Sequence, residues 1–166
     1  MSSNNQTGKV LFTREQIEAR AAEIGAQIYE DYGGEPVYLI CTLRGAVMWM
    51  ADIMKNVAND TEIDFIMASS YGSGTTSSGV VKIKKDLEGD IYGKNVIIIE
   101  DIMTQEPPSS ISKNTWPTNP KSIKICTLLD KPSGASLIEA DYVLFHRNLF
   151  VIGYGLDYDQ KYEIYM

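Results

Sequence analysis

Two adjacent carboxylates, Glu100 and Asp101, arrive where the run Val96-Ile97-Ile98-Ile99 stops. Four β-branched residues bounded by Gly93-Lys94-Asn95 read as a strand buried on both faces, as at the centre of a parallel sheet. Open α/β sheets bind ligands outside the carboxyl ends of their strands, which makes the acidic pair a functional candidate. The competing explanation is that strands commonly end in polar residues. Two further polar corners follow apolar runs. At Arg44-Gly45, a glycine would let a backbone N–H approach an anion closely, with the Arg44 charge beside it, although such a pair also makes ordinary turns. Residues 69–79 form a Ser/Gly/Thr run around Tyr71. No Gly-Lys-Ser/Thr ends it, so it is not a Walker loop. It is either a surface linker or a lid, with Tyr71 placed to cover a ligand.

The elements that would position these corners are legible in order. Thr13-Arg14-Glu15-Gln16 is a capping box, followed by Ile17, Ala21, Ile24 and Ile28 at helical spacing, and Gly33-Gly34 stops the helix. Residues 37–43 read as a buried strand turning into a Met-rich helix over 46–55, where the methionines are expected to fill core. A second strand is expected over 63–68, and 80–83 with Ile91 suggest a returning hairpin. Residues 122–129, 141–145 and 150–154 read as further strands. Strands alternating with helices predict an α/β domain with a mostly parallel sheet.

The chain has 166 residues, 44% apolar and 22% charged, which suits one globular domain over 10–166 behind a polar tail at 1–9. Its net charge is −7, and its longest basic cluster is Lys82-Ile83-Lys84-Lys85, which argues against non-specific nucleic-acid binding. The opening lacks the apolar core of a secretory signal and no run reaches membrane-spanning length, so no membrane association is expected and the cytoplasm is the default location. Cys41 and Cys126 lie inside apolar runs and are expected as buried thiols on neighbouring strands. His146, the only histidine, is expected at the surface.

Six pieces in sequence carry a resemblance: Ser69-Ser70-Tyr71-Gly72, Val80-Val81-Lys82, Lys85-Asp86-Leu87, Ile99-Glu100-Asp101-Ile102, Cys126-Thr127-Leu128-Leu129-Asp130-Lys131-Pro132 and Gly153-Tyr154-Gly155-Leu156-Asp157-Tyr158. In order and spacing, from about residue 10 to 162, the chain resembles the hypoxanthine (hypoxanthine–guanine) phosphoribosyltransferases. The resemblance implies a type I phosphoribosyltransferase-like fold, a mostly parallel sheet flanked by helices with a small hood. It implies transfer from phosphoribosyl diphosphate to a 6-oxopurine with Mg²⁺, in a homodimer or homotetramer. Glu100 and Asp101 would hold the ribose hydroxyls, and with Asp157 would serve the metal. Arg44, Gly45, Ser70 and Tyr71 would meet the diphosphate; the family usually has Lys before this glycine, and Arg keeps the charge while changing its shape. Lys131 would donate to the purine 6-oxo group and so reject adenine, Phe150 would stack on the base, and the Val151 backbone would read its edge.

Residues 104–119 depart from the family. There it has Asp-Thr-Gly-x-Thr and an amphipathic helix, its Asp near purine N7 as proton acceptor or donor and its loop on the 5′-phosphate. Here Thr104 occupies the place of that Asp, and the segment holds three prolines and no helical period, although two parallel strands need a crossover. A displaced reading frame accounts for it. Taking the third base of each codon with the first two of the next, Met103 into Thr104 gives GAC, which can only be Asp. The following steps permit Thr, Gly, Thr, Thr, Leu, then Lys-Tyr-Leu-Lys-Glu-His-Leu-Ala. The same shift permits Arg-Arg-Ile-Val-Asp over 133–138 and an Arg within 162–166, and on this hypothesis the stop after Met166 would be a loss of frame as well.

Three readings follow. The first is a 6-oxopurine phosphoribosyltransferase. Taken literally, the printed segment would instead make an inactive relative that binds a nucleotide or a partner as a regulator. An RNA-binding regulator on the same fold would need a basic face, which the net charge disfavours.

Overall fold

The computed structural model describes residues 10–70, 81–103, 119–130, 139–146 and 151–156. Thr13 caps α1 (Arg14–Tyr32) through the expected box, its side chain accepting from Gln16 N while Gln16 reaches back to Thr13 N at 2.8 Å. Gly33, at φ 58°, ends the helix in the left-handed region, where a residue without Cβ carries no steric penalty. β1 (Val37–Thr42), α2 (Val47–Met54), β2 (Thr61–Ser70), β3 (Val81–Lys85), β4 (Asn95–Met103), β5 (Ser122–Asp130) and β6 (Tyr142–His146) follow.

The six strands form one sheet in the order β3-β2-β1-β4-β5-β6. Only β3 runs antiparallel, against β2; the other neighbours are parallel. The chain leaves β1 towards β2 on one side and returns to β4 on the other. The β1–β4 boundary is therefore the topological switch point, and the crevice outside its carboxyl end is where such sheets bind ligands.

Side chains alternating along the strands build two cores. On one face Leu39, Cys41, Ile97, Ile99 and Leu128 pack with Ile24 and Ile28 of α1 and Trp49, Met50 and Ile53 of α2. On the other, Tyr38, Ile40, Val96, Ile98 and Ile125 pack with Ile66 and Ile91. Burying each large aliphatic side chain contributes about 1.5–3 kcal/mol, so the run at 96–99, buried throughout, makes β4 the anchor of both cores.

Three expectations are corrected. Cys41 and Cys126 are buried free thiols, but Ile99 of β4 sits in register between them, so their strands are not neighbours. Of the α2 methionines only Met50 is core; Met48 and Met54 are exposed, because an eight-residue helix turns just one stripe to the sheet. Residues 151–156 form a tight turn with a Gly153–Leu156 bridge, not the end of a strand, because Gly153, Tyr154 and Gly155 all take positive φ.

Candidate functional site

The register of β1 and β4 builds the site. Cys41 pairs with Ile99, so Thr42 and Glu100, one residue further on, project to the same face, and Asp101 projects to the other. Glu100 is only 3% exposed. Its Oε2 accepts a hydrogen bond from Thr42 Oγ1 at 2.7 Å, and the same hydroxyl lies 2.8 Å from the Ile99 carbonyl oxygen. Oε1, equally buried, has no hydrogen-bond partner among the described residues. Burial pushes the Glu100 pKa up to about 8 against the lowering effect of the Thr42 hydrogen bond, with the Asp101 charge adding to the rise. Burial and these two carboxylates also push the Cys41 thiol up to about 12, so it is an inert core thiol and not a nucleophile.

Asp101 is half-buried on the helix face, with Oδ1 accepting from Ile102 N at 2.8 Å. Its carboxylate lies against the turn between β1 and α2: a Cβ at Gly45 would stand 2.7 Å from Asp101 Cγ. Gly45 thus does not merely bend the chain; its missing side chain is the room Asp101 occupies. Arg44, exposed, precedes it and is joined to Leu43 by a cis peptide. The other side of Gly45 is closed by the 151–156 turn, where a Cβ at Gly155 would come 2.5 Å from the Gly45 carbonyl oxygen. The Tyr154 hydroxyl donates to Asp52 of α2, which ties that turn to the helix following the Arg44-Gly45 corner.

The β2–β3 hairpin forms one edge of the sheet, with Ser70 at its described end paired in register to Val81. Asp64 anchors it. This buried carboxylate accepts from the Tyr38 hydroxyl at 2.9 Å and from the backbone N–H groups of Phe65, Glu88 and Gly89 at 2.7, 2.7 and 3.1 Å.

The structure therefore brings together Arg44, Gly45, Glu100 and Asp101 at the switch point. Val151, partly buried, packs against the main core beside them in the turn that holds Gly155. Tyr71, Thr104, Lys131, Phe150 and Asp157 lie outside the described residues. Asp130, preceding Lys131, ends β5 and pairs with His146 at 3.0 Å; the His146 side chain is largely exposed, as expected. Reading the sequence missed Thr42, Asp64 and Gly155. Thr42 had one usable signal, a hydroxyl ending the otherwise apolar run of β1 just before the Arg44-Gly45 corner.

The cavity lined by Glu35, Tyr38, Glu62, Lys94, Asn95 and Lys121, about 220 Å³, lies at the opposite, amino end of the strands. Its lysines are already paired, Lys94 with Glu62 and Lys121 with Glu35, which leaves the switch point as the better candidate.

Comparison with known proteins shows the family. The phosphoribosyl transferase domain profile matches residues 9–105. The hypoxanthine-guanine phosphoribosyltransferase of Mycobacterium tuberculosis (strain H37Rv) is 46% identical over 163 residues, covering 93% of this chain and 81% of that protein. This chain belongs to the phosphoribosyltransferase family. Its Streptococcus thermophilus relative of the same name is 45% identical over 158 residues, with 93% of this chain and 88% of that protein covered. Among solved structures, a hypoxanthine phosphoribosyltransferase from Staphylococcus aureus superposes with a TM-score of 0.85 at 41% identity, covering 94% and 87% of the two chains. The sheet is thus that of a type I phosphoribosyltransferase. The profile match ends at residue 105, just inside the segment over 104–119 that departs from the family pattern.

Proposed function

We propose that this phosphoribosyltransferase transfers the phosphoribosyl group of phosphoribosyl diphosphate to hypoxanthine or guanine, releasing diphosphate and forming IMP or GMP in purine salvage. The observation that carries the reading is the packing of Asp101 into the space left by Gly45, with the unpaired Oε1 of Glu100 on the adjoining strand position. It sets an anion-accepting backbone turn beside two carboxylates, as a substrate with a diphosphate on a ribose requires.

In the reaction the bond from the anomeric carbon to the diphosphate oxygen breaks, and a bond from that carbon to a purine nitrogen forms. Positive charge builds on the sugar between those events. Catalysis is then mainly positioning and electrostatics. Glu100 and Asp101 hold the ribose hydroxyls and steady the developing cation; positive charge at the occupied site favours the ionised form of Glu100, which in the unliganded chain keeps its proton up to about pH 8. Arg44 and the Gly45 backbone hold the diphosphate, and Ser70 and Tyr71 close over it and exclude water. Lys131 selects a 6-oxo purine, with Phe150 on the base face and the Val151 backbone at its edge.

Mg²⁺ fits this donor set. The described residues contain no cluster of three or more metal-ligating side chains. Mg²⁺, however, commonly uses one or two carboxylates together with substrate phosphates, which Glu100 and Asp101, with Asp157, match. Held there, it would supply charge neutralisation of the diphosphate. No helix among the described residues is long and apolar enough to cross a membrane. We place the protein in the cytoplasm as a homodimer or homotetramer, acting on small molecules and not on nucleic acid.

A second reading has one observation in its favour, the end of the domain-profile match at residue 105, although the named relatives align over 93% of the chain. If residues 104–119 are as printed, the chain lacks the family's Asp and phosphate loop and serves as a nucleotide- or partner-binding regulator. Diphosphate release with hypoxanthine, guanine and adenine tests the choice. Release with the two 6-oxopurines and none with adenine supports transfer; no release with any base supports the regulator.

A further inference from the structure

We propose that Thr42 is a positioning residue, whose hydroxyl holds one oxygen of Glu100 so that the other meets the ribose of phosphoribosyl diphosphate. The inference rests on the reading above and adds to it a residue outside the candidate set.

The geometry is specific. Thr42 Oγ1 lies within hydrogen-bond distance of two acceptors on successive residues of β4, Glu100 Oε2 at 2.7 Å and the Ile99 carbonyl oxygen at 2.8 Å. The Ile99 contact fixes where the hydroxyl sits, and the Glu100 contact fixes which way the carboxyl turns. A glutamate side chain has three rotatable bonds, and a buried carboxyl without a donor would turn towards any it could find. Here one oxygen is held, and the buried oxygen left without a partner, Oε1, is the one a ligand hydroxyl can satisfy. Nothing else in β1 can supply this donor. Tyr38 and Ile40, on the same face, are committed to the core, and Cys41 faces the opposite side.

Valine keeps the branched shape of Thr42 but donates nothing, alanine removes the hydroxyl without adding a methyl group, and serine keeps the hydroxyl. The test is calorimetric binding of phosphoribosyl diphosphate with Mg²⁺, and separately of magnesium diphosphate, to wild type, T42V, T42A and T42S, with thermal unfolding of each free protein. T42V and T42A should bind phosphoribosyl diphosphate about tenfold more weakly, the scale of one lost hydrogen bond. T42S should stay close to wild type. Magnesium diphosphate, which lacks the ribose, should bind all four alike, and the unfolding midpoints should not track the affinities. Either of two results overturns the positioning role: unchanged affinity in both T42V and T42A, or equal loss of both ligands in step with stability. A T42S as weak as T42V does so too. If T42V does not fold, T42A and T42S carry the same comparison. A wild type that binds diphosphate but shows no added affinity for phosphoribosyl diphosphate would instead defeat the parent reading, and this one with it.

Discussion

The Asp101 carboxylate fills the space that a side chain at residue 45 would need, with Asp101 Cγ only 2.7 Å from where a Cβ would stand. The end of β4 and the turn after β1 are therefore one packed unit, and neither can change without moving the other. Gly155 closes the far side of the same turn.

Gly45→Ala should test that unit. The added methyl must displace Asp101 or the turn by an ångström or more. Misplacement on that scale costs about 100-fold in rate, so kcat/KM for phosphoribosyl diphosphate should fall by about that factor while the far-ultraviolet dichroism stays unchanged. Steady-state kinetics at saturating base check this. Wild-type kcat/KM in the variant would mean that the contact is incidental.

Glu100 gives the fold a pH signature. Its pKa stands at about 8 in the folded chain, chiefly from burial, against 4.5 for an ordinary glutamate. Between those values the folded protein keeps a proton that the unfolded chain has released. The stability tied to neutral Glu100 is thus fully present below about pH 4.5 and is lost as pH rises towards about 8. Urea unfolding of wild type and E100Q across that window should show the difference in stability moving in favour of E100Q as pH rises. A difference independent of pH would contradict the assigned burial.

Asp64 should show the opposite sign. Burial pushes its pKa up, but hydrogen bonds from the Gly89, Phe65 and Glu88 N–H groups and the Tyr38 hydroxyl outweigh that and hold it below the usual 3.8. Its contribution is present above that value and is lost as pH falls through the lower, folded one. D64N keeps the shape but replaces one oxygen by a donor facing donors. It should cost about 2–3 kcal/mol at neutral pH, with faster hydrogen exchange at Glu88 and Gly89. Chemical denaturation and amide exchange measure both effects. Wild-type stability in D64N would show that the β2–β3 hairpin is anchored elsewhere.

Much of this is legible in the sequence. The β-branched run ending in Glu100-Asp101 announces a central strand and its ligand-facing end, because burial on both faces demands that composition. The Thr13–Gln16 box and Gly33 bound α1 for reasons local to the backbone. What stayed hidden depends on register and approach. Strand order decides that Cys41 and Cys126 lie across β4 from one another. A Thr at 42 reads as strand composition until Glu100 is set beside it, and Asp64 reads as one polar step in an alternating strand until four donors converge on it. Glycines 45 and 155 read as turn residues, although what they supply is room.

Residues 104–119 yield a direct chemical test. Mass spectrometry of a peptide spanning Ile102 to Lys121, from protein expressed from the source gene, should give the mass of the displaced frame beginning Asp-Thr-Gly. A peptide matching the printed residues would remove the frame displacement from the account. Protein made to the printed residues should turn over at least about 100-fold more slowly, the scale of losing a general base. Equal rates from the two proteins would contradict that.

The central claim is that Glu100 and Asp101 stabilise a positively charging ribose during phosphoribosyl transfer. Diphosphate release by protein from the source gene, with phosphoribosyl diphosphate, Mg²⁺ and hypoxanthine, tests it most directly when wild type is compared with E100Q/D101N. The account predicts hypoxanthine-dependent release that falls by about 100-fold or more in the double variant. Release at the wild-type rate from a folded E100Q/D101N protein would contradict it.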